Sequence, residues 1–413
     1  PAPPKANHRQ PGISARRYND VVSLWTRTLL GGVVLSGLLL GSAAQNEGIS
    51  VADASRAARA EGARLREIPV ATSHAEALFY SVPGNASLNS FRDNVSRVGL
   101  IAPQAFSLDR RGDLKGTLPP ELWAVAREHG VPLMPVVINA GFSRLGAHQM
   151  LHSPAARDRA VGNLVEAARS MHLVGWQIDF EGMLASDRPE LSRFVAEAAH
   201  SLHHAGKTLS VAVAARIHDT PNENFHTYSG VYDYEALGKA ADFLSVMAYP
   251  EHDRHTGAGP LASYPWVQQV IEHVLESVPP DKLSLGMPSY ETDWGQHRVK
   301  ERFARRVGHH VRHFFRWVFK AFTRNHSSEH GDTELKWDPV LRSSYRVQGE
   351  GTRRHVTWIE DERSFEAELE LVRHYHLRGF SVWRIGLEDP HIWAYLPKVQ
   401  QASVDAGSAA PAR

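Results

Sequence analysis

Eight short apolar runs alternate with longer stretches of helical periodicity, and this alternation leaves the chain few architectures to choose from. The runs are Ala77 to Val82, Val98 to Ala102, Val131 to Ile138, Leu173 to Phe180, Leu209 to Ala214, Phe243 to Ala248, Leu283 to Pro288 and Gly379 to Ile385. Helical stretches fill most of the gaps, at Pro120 to His129, Ala155 to His172, Pro189 to Ala205, Tyr264 to Ser277, Glu362 to His376 and Pro390 to Gln400. Short apolar runs bounded by helices are the mark of βα units around a parallel sheet. Eight of them over about 320 residues predict an α/β chain folded as a (β/α)8 TIM barrel. A doubly wound open sheet is the competing architecture, but no Gly-rich phosphate loop follows the first run.

A barrel keeps its chemistry at the C-terminal ends of its strands. The fourth run ends in Gln177-Ile178-Asp179-Phe180-Glu181. On a strand, alternation points Asp179 and Glu181 to the same face. Two neighbouring carboxylates suit a proton donor at Glu181 and a companion at Asp179 that orients a group and shifts the donor's pKa. That is glycosidase-like chemistry. The Asp-x-Glu pattern alone is common in surface strands and loops, so its weight comes from its company. Tyr249 ends the sixth run, Tyr290 follows the seventh and Trp383 lies in the eighth. Each aromatic by itself reads as packing; together they keep phase with the expected strand ends.

Lys plus Arg number 46 against 45 Asp plus Glu among 413 residues, so no nucleic-acid or acidic partner is called for. The absence of Cys excludes disulfides, thiolate catalysis and Cys-ligated zinc. Near the start, Arg16, Arg17 and Arg27 precede an uncharged apolar run from Thr28 to Ala44 that ends in Gly41-Ser42-Ala43-Ala44. This reads as an export signal or a membrane anchor, and its length falls between the two classes. Either way the remainder is expected outside the cytoplasm, in the periplasm, the envelope or beyond. The expected organisation is a basic and polar extension at 1–27, the signal core or anchor at 28–45 and a tether at 46–73. The barrel follows at 74–400, with an insertion at about 295–355 between strands seven and eight, and a tail at 401–413.

At this point the chain resembles glycoside hydrolase family 18, the chitinase-like barrels, and within it the bacterial spore-cortex-lytic and cell-wall N-acetylglucosaminidases. The family motif D-G-x-D-x-D-x-E is matched by Val174-Gly175-Trp176-Gln177-Ile178-Asp179-Phe180-Glu181. Val174 replaces the first Asp and Gln177 the middle one, an amide being common there in the cell-wall subgroup. The family's M-x-Y-D is matched by Met247-Ala248-Tyr249-Pro250, followed by Glu251-His252; Pro250 replaces the Asp and with it one substrate hydrogen bond. Further matches are Gly259-Pro260 with Trp266, Gly286-Met287-Pro288-Ser289-Tyr290 with Asp293-Trp294, Trp337-Asp338, and His355-Val356-Thr357-Trp358 with Asp361 and Ser364. The series closes on Gly379-Phe380-Ser381-Val382-Trp383-Arg384-Ile385-Gly386.

The resemblance implies hydrolysis of a β-linked N-acetylglucosamine polysaccharide, peptidoglycan-like or chitin-like, with substrate assistance and retention of configuration. Glu181 would protonate the glycosidic oxygen while the substrate's 2-acetamido oxygen attacks the anomeric carbon. Asp179 would hold the acetamide N–H, Tyr249 its oxygen, and Trp383 would floor the sugar site. Further substrate-binding candidates are Gln177, Met247, Glu251, Tyr290, Tyr80 and Trp294. No cofactor or metal is implied, and a monomer is expected. The alternative is a glycan-binding protein on the same barrel that has lost turnover, a reading raised by Pro250 and Gln177.

One segment stands apart from the resemblance. His297 to His326 contains nine Lys or Arg and one acidic residue, Glu301, with Phe303, Val307, Val311, Phe314, Phe315, Val318 and Phe322 at helical spacing. It reads as a basic amphipathic helix that covers part of the barrel or meets an anionic membrane or wall surface. His309 and His313 are four apart, but no carboxylate cluster accompanies them and no metal is expected there.

Overall fold

The computed structural model describes residues 75–219, 228–252, 257–295, 334–349 and 355–399. The apolar run at 28–44, the tether, the basic segment His297 to His326 and the tail at 401–413 all lie outside them. Every described residue belongs to one compact unit that begins at Ile68. Among the described residues, no helix is long and apolar enough to cross a membrane.

Eight parallel strands close into a barrel: β1 (Glu76–Ser81), β2 (Leu100–Leu108), β3 (Val136–Asn139), β4 (Gly175–Asp179), β5 (Thr208–Ala214), β6 (Phe243–Met247), β7 (Leu283–Pro288) and β8 (Gly379–Trp383). Each pairs with its neighbours in chain order. The ring closes where β1 pairs with both β2, through Leu78 against Leu100, and β8, through Leu78 against Ser381. Closure removes both sheet edges, so every strand finds ladder partners on two sides.

The main core lies between barrel and helices. Trp176, Ile178, Phe194, Leu202, Val211 and Val246 are among its fully buried members. A smaller cluster of Leu78, Tyr80, Leu100, Ala102, Met134, Val136 and Phe243 fills the barrel interior. Helices Pro120–Glu128, Pro154–Ser170, Arg188–His204, Tyr264–Leu275 and Glu362–His374 lie close to the periodic stretches of the sequence. Helices Asn85–Asp93, Arg144–His152 and Tyr234–Ala240 are additional.

Three differences from the expected elements have physical causes. Strand β2 continues beyond Ala102 and Pro103 to Leu108, with a register irregularity between Gln104 and Phe106 where it meets β3. The expected helix from Pro390 is only a short 3-10 helix, Pro390–Tyr395, and it stops before Pro397 because the residue preceding a proline is pushed to extended backbone, as Leu396 is. Between β7 and β8 the chain builds an antiparallel sheet in the order 336–338, 343–348, 355–359 and 292–295. Several motifs singled out in the sequence act structurally there. Asp338 accepts two turn N–H groups, from Val340 and Leu341, at 2.9 Å each. Asp361 caps helix Glu362–His374 and accepts the Ser344 hydroxyl at 2.6 Å. The Arg363 guanidinium lies 4.0 Å from the centre of the Trp337 ring.

Candidate active site

Strand β4 sets the site by alternation. Trp176 and Phe180 turn outward: Trp176 packs edge-on against Phe106 and donates its indole N–H to the Leu164 carbonyl at 2.8 Å, while Phe180 stacks on Phe194 at 5.8 Å. Gln177 and Asp179 therefore turn into the barrel, and Glu181 continues the same phase past the strand end. Gly175 begins the series for a steric reason. A Cβ at that position would stand 2.0 Å from the Thr208 carbonyl oxygen on β5, so only glycine lets the two strands approach.

The two carboxyls interact directly. Asp179 is 6% exposed and Glu181 only partly covered. Burial is the largest cause lifting Asp179 to about 7, opposed by hydrogen bonds from the Glu181 and Gln104 side chains. Burial likewise lifts Glu181 well above the carboxylate range, and both the charge of Asp179 and the hydrogen bond to it lift Glu181 further. That bond favours the charged form of Asp179 and the neutral form of Glu181, so the two carboxyls lose their protons as a pair rather than one by one. Asp179 Oδ1 has no hydrogen-bond partner among the described residues.

The barrel interior beneath this pair is polar and connected. Gln177 donates to Ser210 Oγ at 3.0 Å, the Tyr80 hydroxyl lies 2.9 Å from Ser245 Oγ, and Ser245 shares a hydrogen bond with Ser381. Above it, the expected aromatics converge. The Tyr80 and Trp383 rings are 5.5 Å apart, and Tyr249 meets Tyr290 edge-on at 6.4 Å. Tyr290 is buried with Leu261 and Leu387, and Tyr249 and Trp383 pack on that cluster. Burial raises the Tyr249 phenol pKa, with smaller contributions from Tyr80, Tyr290, Asp179 and Glu181, so Tyr249 is a neutral O–H donor beside the carboxyls. Met247, the last residue of β6, is half-buried and in phase with inward Ser245.

Two of the expected residues sit less directly on this group. Glu251 spends one carboxylate oxygen on the Ser263 N–H at 2.8 Å and holds the other 3.6 Å from His252, so it braces the connection after β6. Trp294 pairs through its backbone with Val356 in the small sheet, and its side chain lies outside the described residues.

The sequence reading missed several residues that shape the site. Asn139, buried at the end of β3, grips the Glu181 backbone twice: Oδ1 accepts the Glu181 N–H at 2.9 Å and Nδ2 donates to the Glu181 carbonyl at 3.0 Å. Tyr232 donates to the Phe180 carbonyl at 2.8 Å. Gln104 reaches Asp179 from the part of β2 beyond the expected strand. A polar residue directly after the run Val131 to Ile138 was the available signal for Asn139.

Comparison with known proteins points to one family. The family model described as glycosyl hydrolases family 18 matches residues 107–388. The uncharacterized glycosylase YvbX of Bacillus subtilis is 24% identical over 77% of this chain and 90% of its own length. The cortical fragment-lytic enzyme of the same organism is 27% identical over 71% of this chain, which spans 65% of that relative. Among solved structures, a chitinase from Chromobacterium violaceum superposes with a TM-score of 0.63 at 26% identity, covering 78% of this chain and 97% of its own.

Proposed function

The chain belongs to the glycosyl hydrolases of family 18, and from that premise we propose that it cleaves β-linked N-acetylglucosamine-containing wall glycan by a substrate-assisted, retaining mechanism. The observation that carries the proposal is the hydrogen-bonded Asp179–Glu181 pair, with Glu181 lifted well above the carboxylate range and an acceptor oxygen of Asp179 without a partner among the described residues. A neutral Glu181 at the mouth of the barrel is a general acid for the leaving oxygen. As the glycosidic bond breaks, the 2-acetamido oxygen closes on the anomeric carbon. Asp179 accepts the acetamide N–H and stabilises the positive oxazolinium, while the Tyr249 hydroxyl donates to the acetamide oxygen. Glu181, now ionised, takes a proton from the water that reopens the ring, and two inversions give net retention. Trp383 supplies the apolar floor, so that part of the binding energy distorts the sugar toward its transition state.

Preference for a wall glycan is supported by the cortical fragment-lytic relatives. The binding-only alternative is not favoured, because acid and neighbour are both present and hydrogen-bonded to each other. The decisive experiment uses defined N-acetylglucosamine oligomers and purified sacculi, with products sized and Glu181→Gln as control. That variant should turn over roughly 100-fold more slowly or worse while still binding sugar. Oligomers with a free 2-amine in place of the acetamide should resist the parent enzyme, since their nucleophile is missing. Equal rates on both substrates would replace this mechanism with a protein nucleophile.

The same reading places the domain outside the cytoplasmic membrane, on the strength of Arg16, Arg17 and Arg27 ahead of the apolar run, and assigns contact with anionic surfaces to the basic stretch at 297–326. Protease added to spheroplasts should digest the domain; full protection would reject the export assignment.

A further inference from the structure

We propose that His148, His152 and Asp187 form a site for one divalent transition-metal ion of the Zn2+ class, tying together the two connections that flank the catalytic carboxyls. His148 and His152 stand one turn apart on helix Arg144–His152, so their imidazoles leave the same face, with ring centres 4.3 Å apart. Asp187 ends the 3-10 turn Ala185–Asp187 in the connection after β4 and is fully buried. Its Oδ1 meets His148 Nδ1 at 2.7 Å and His152 Nε2 at 3.1 Å. Its Oδ2 is buried and has no hydrogen-bond partner among the described residues.

The geometry suits an ion. All three ligand atoms lie within 4.8 Å of one another. Tetrahedral zinc with bonds of about 2.0–2.1 Å sets neighbouring ligand atoms roughly 3.3 Å apart, so the carboxylate–imidazole separations of 2.7 and 3.1 Å need to open by about 0.6 and 0.2 Å. Among the described residues, the ion-pair partners of Asp187 are these two imidazoles and no Arg or Lys. A buried carboxylate needs a compensating charge, and a metal supplies it. Two imidazoles and one carboxylate are the donor set of Zn2+, Ni2+ and Fe2+ rather than of Mg2+ or Ca2+. The histidine side chains are 38% and 45% exposed, which gives an ion a path in and leaves a coordination position to water. Asp187 lies six residues beyond Glu181, and the helix carrying both histidines begins five residues after Asn139, which grips Glu181. The ion would therefore clamp the supports of the acid without entering the hydrolytic steps.

The test is a Zn2+ titration of the chelator-stripped full chain by calorimetry, with melting temperature as a second readout. The chain has 24 histidines, so weak surface binding is expected in every variant, and the comparison with His148→Gln/His152→Gln isolates this site. The parent should show one tight equivalent that the double variant lacks, and His152→Gln alone should bind at least about 10-fold more weakly. Zn2+ should raise the melting temperature of the parent and not that of the double variant. Replacing buried Asp187 risks the fold, so the partly exposed His152 carries the decision. Identical titrations of parent and double variant, or no saturable equivalent in the parent, would reduce the cluster to a hydrogen-bonded carboxylate.

Discussion

At the scale of residues, the site depends on how Glu181 is held as much as on Glu181 itself. Its backbone is fixed from β3 by both halves of the Asn139 amide, at 2.9 and 3.0 Å. Asn139→Ala removes both bonds. Because a misplacement of about 1 Å can cost on the order of 100-fold, kcat should fall roughly 10- to 100-fold with little change in KM. Asn139→Asp keeps the acceptor for the Glu181 N–H and loses the donor to its carbonyl, so it should fall between parent and Ala. Steady-state kinetics on one oligomer checks the order; a variant that changed KM alone would show that Asn139 touches substrate. Glu181 and Asp179 were legible in the sequence because two residues of separation fix a shared face locally. The role of Asn139 was not, since its partner lies 42 residues along the chain and only the parallel pairing of β3 with β4 brings the two together.

At the scale of elements, the barrel strands were legible because a parallel strand covered on both faces must read as a continuous apolar run. All eight runs became strands, with boundaries shifted by a few residues. The small sheet escaped because its strands are short, half-exposed and mixed in polarity, as in Ser343–Gln348, and such segments read locally as loop. Close contact between elements yields a sharper expectation. Gly175→Ala would place a methyl 2.0 Å from the Thr208 oxygen, and backbone rather than a flexible side chain receives it. Strands β4 and β5 must separate, at a cost of about 1–3 kcal/mol or more, read as a lowered urea midpoint. Activity should fall with it, since β4 carries both carboxyls. An unchanged midpoint would show that the pairing yields without cost.

At the scale of the whole molecule, buried carboxyls set the response to pH. Burial raises Glu360 to about 8 and Asp179 to about 7, and raises Glu368 well above its usual range, with Glu360 adding to the last. In the unfolded chain these groups release their protons near pH 4. The folded state holds more protons between that pH and their raised values, so their contribution is fully present below about pH 4 and is lost as pH rises toward 8. Asp109, lowered to about 2 chiefly by its hydrogen bond from Lys115, works in the opposite direction and loses its contribution only in acid. Glu360→Gln removes an ionisation that the interior opposes. It should stabilise the fold at pH 8 by on the order of a few kcal/mol and change it little at pH 5. Denaturant midpoints at the two pH values measure this, and equal shifts at both would mean that Glu360 ionises over the same pH range in the folded and unfolded chain. By itself the sequence determined the strands, the helices of strong period and the paired carboxyls, because these follow from local periodicity and spacing. Only the tertiary structure decided the grip of Asn139 on Glu181 and the meeting of His148, His152 and Asp187. Each of these joins segments 35 to 42 residues apart, and the parallel pairing of β3 with β4 is what brings those segments together.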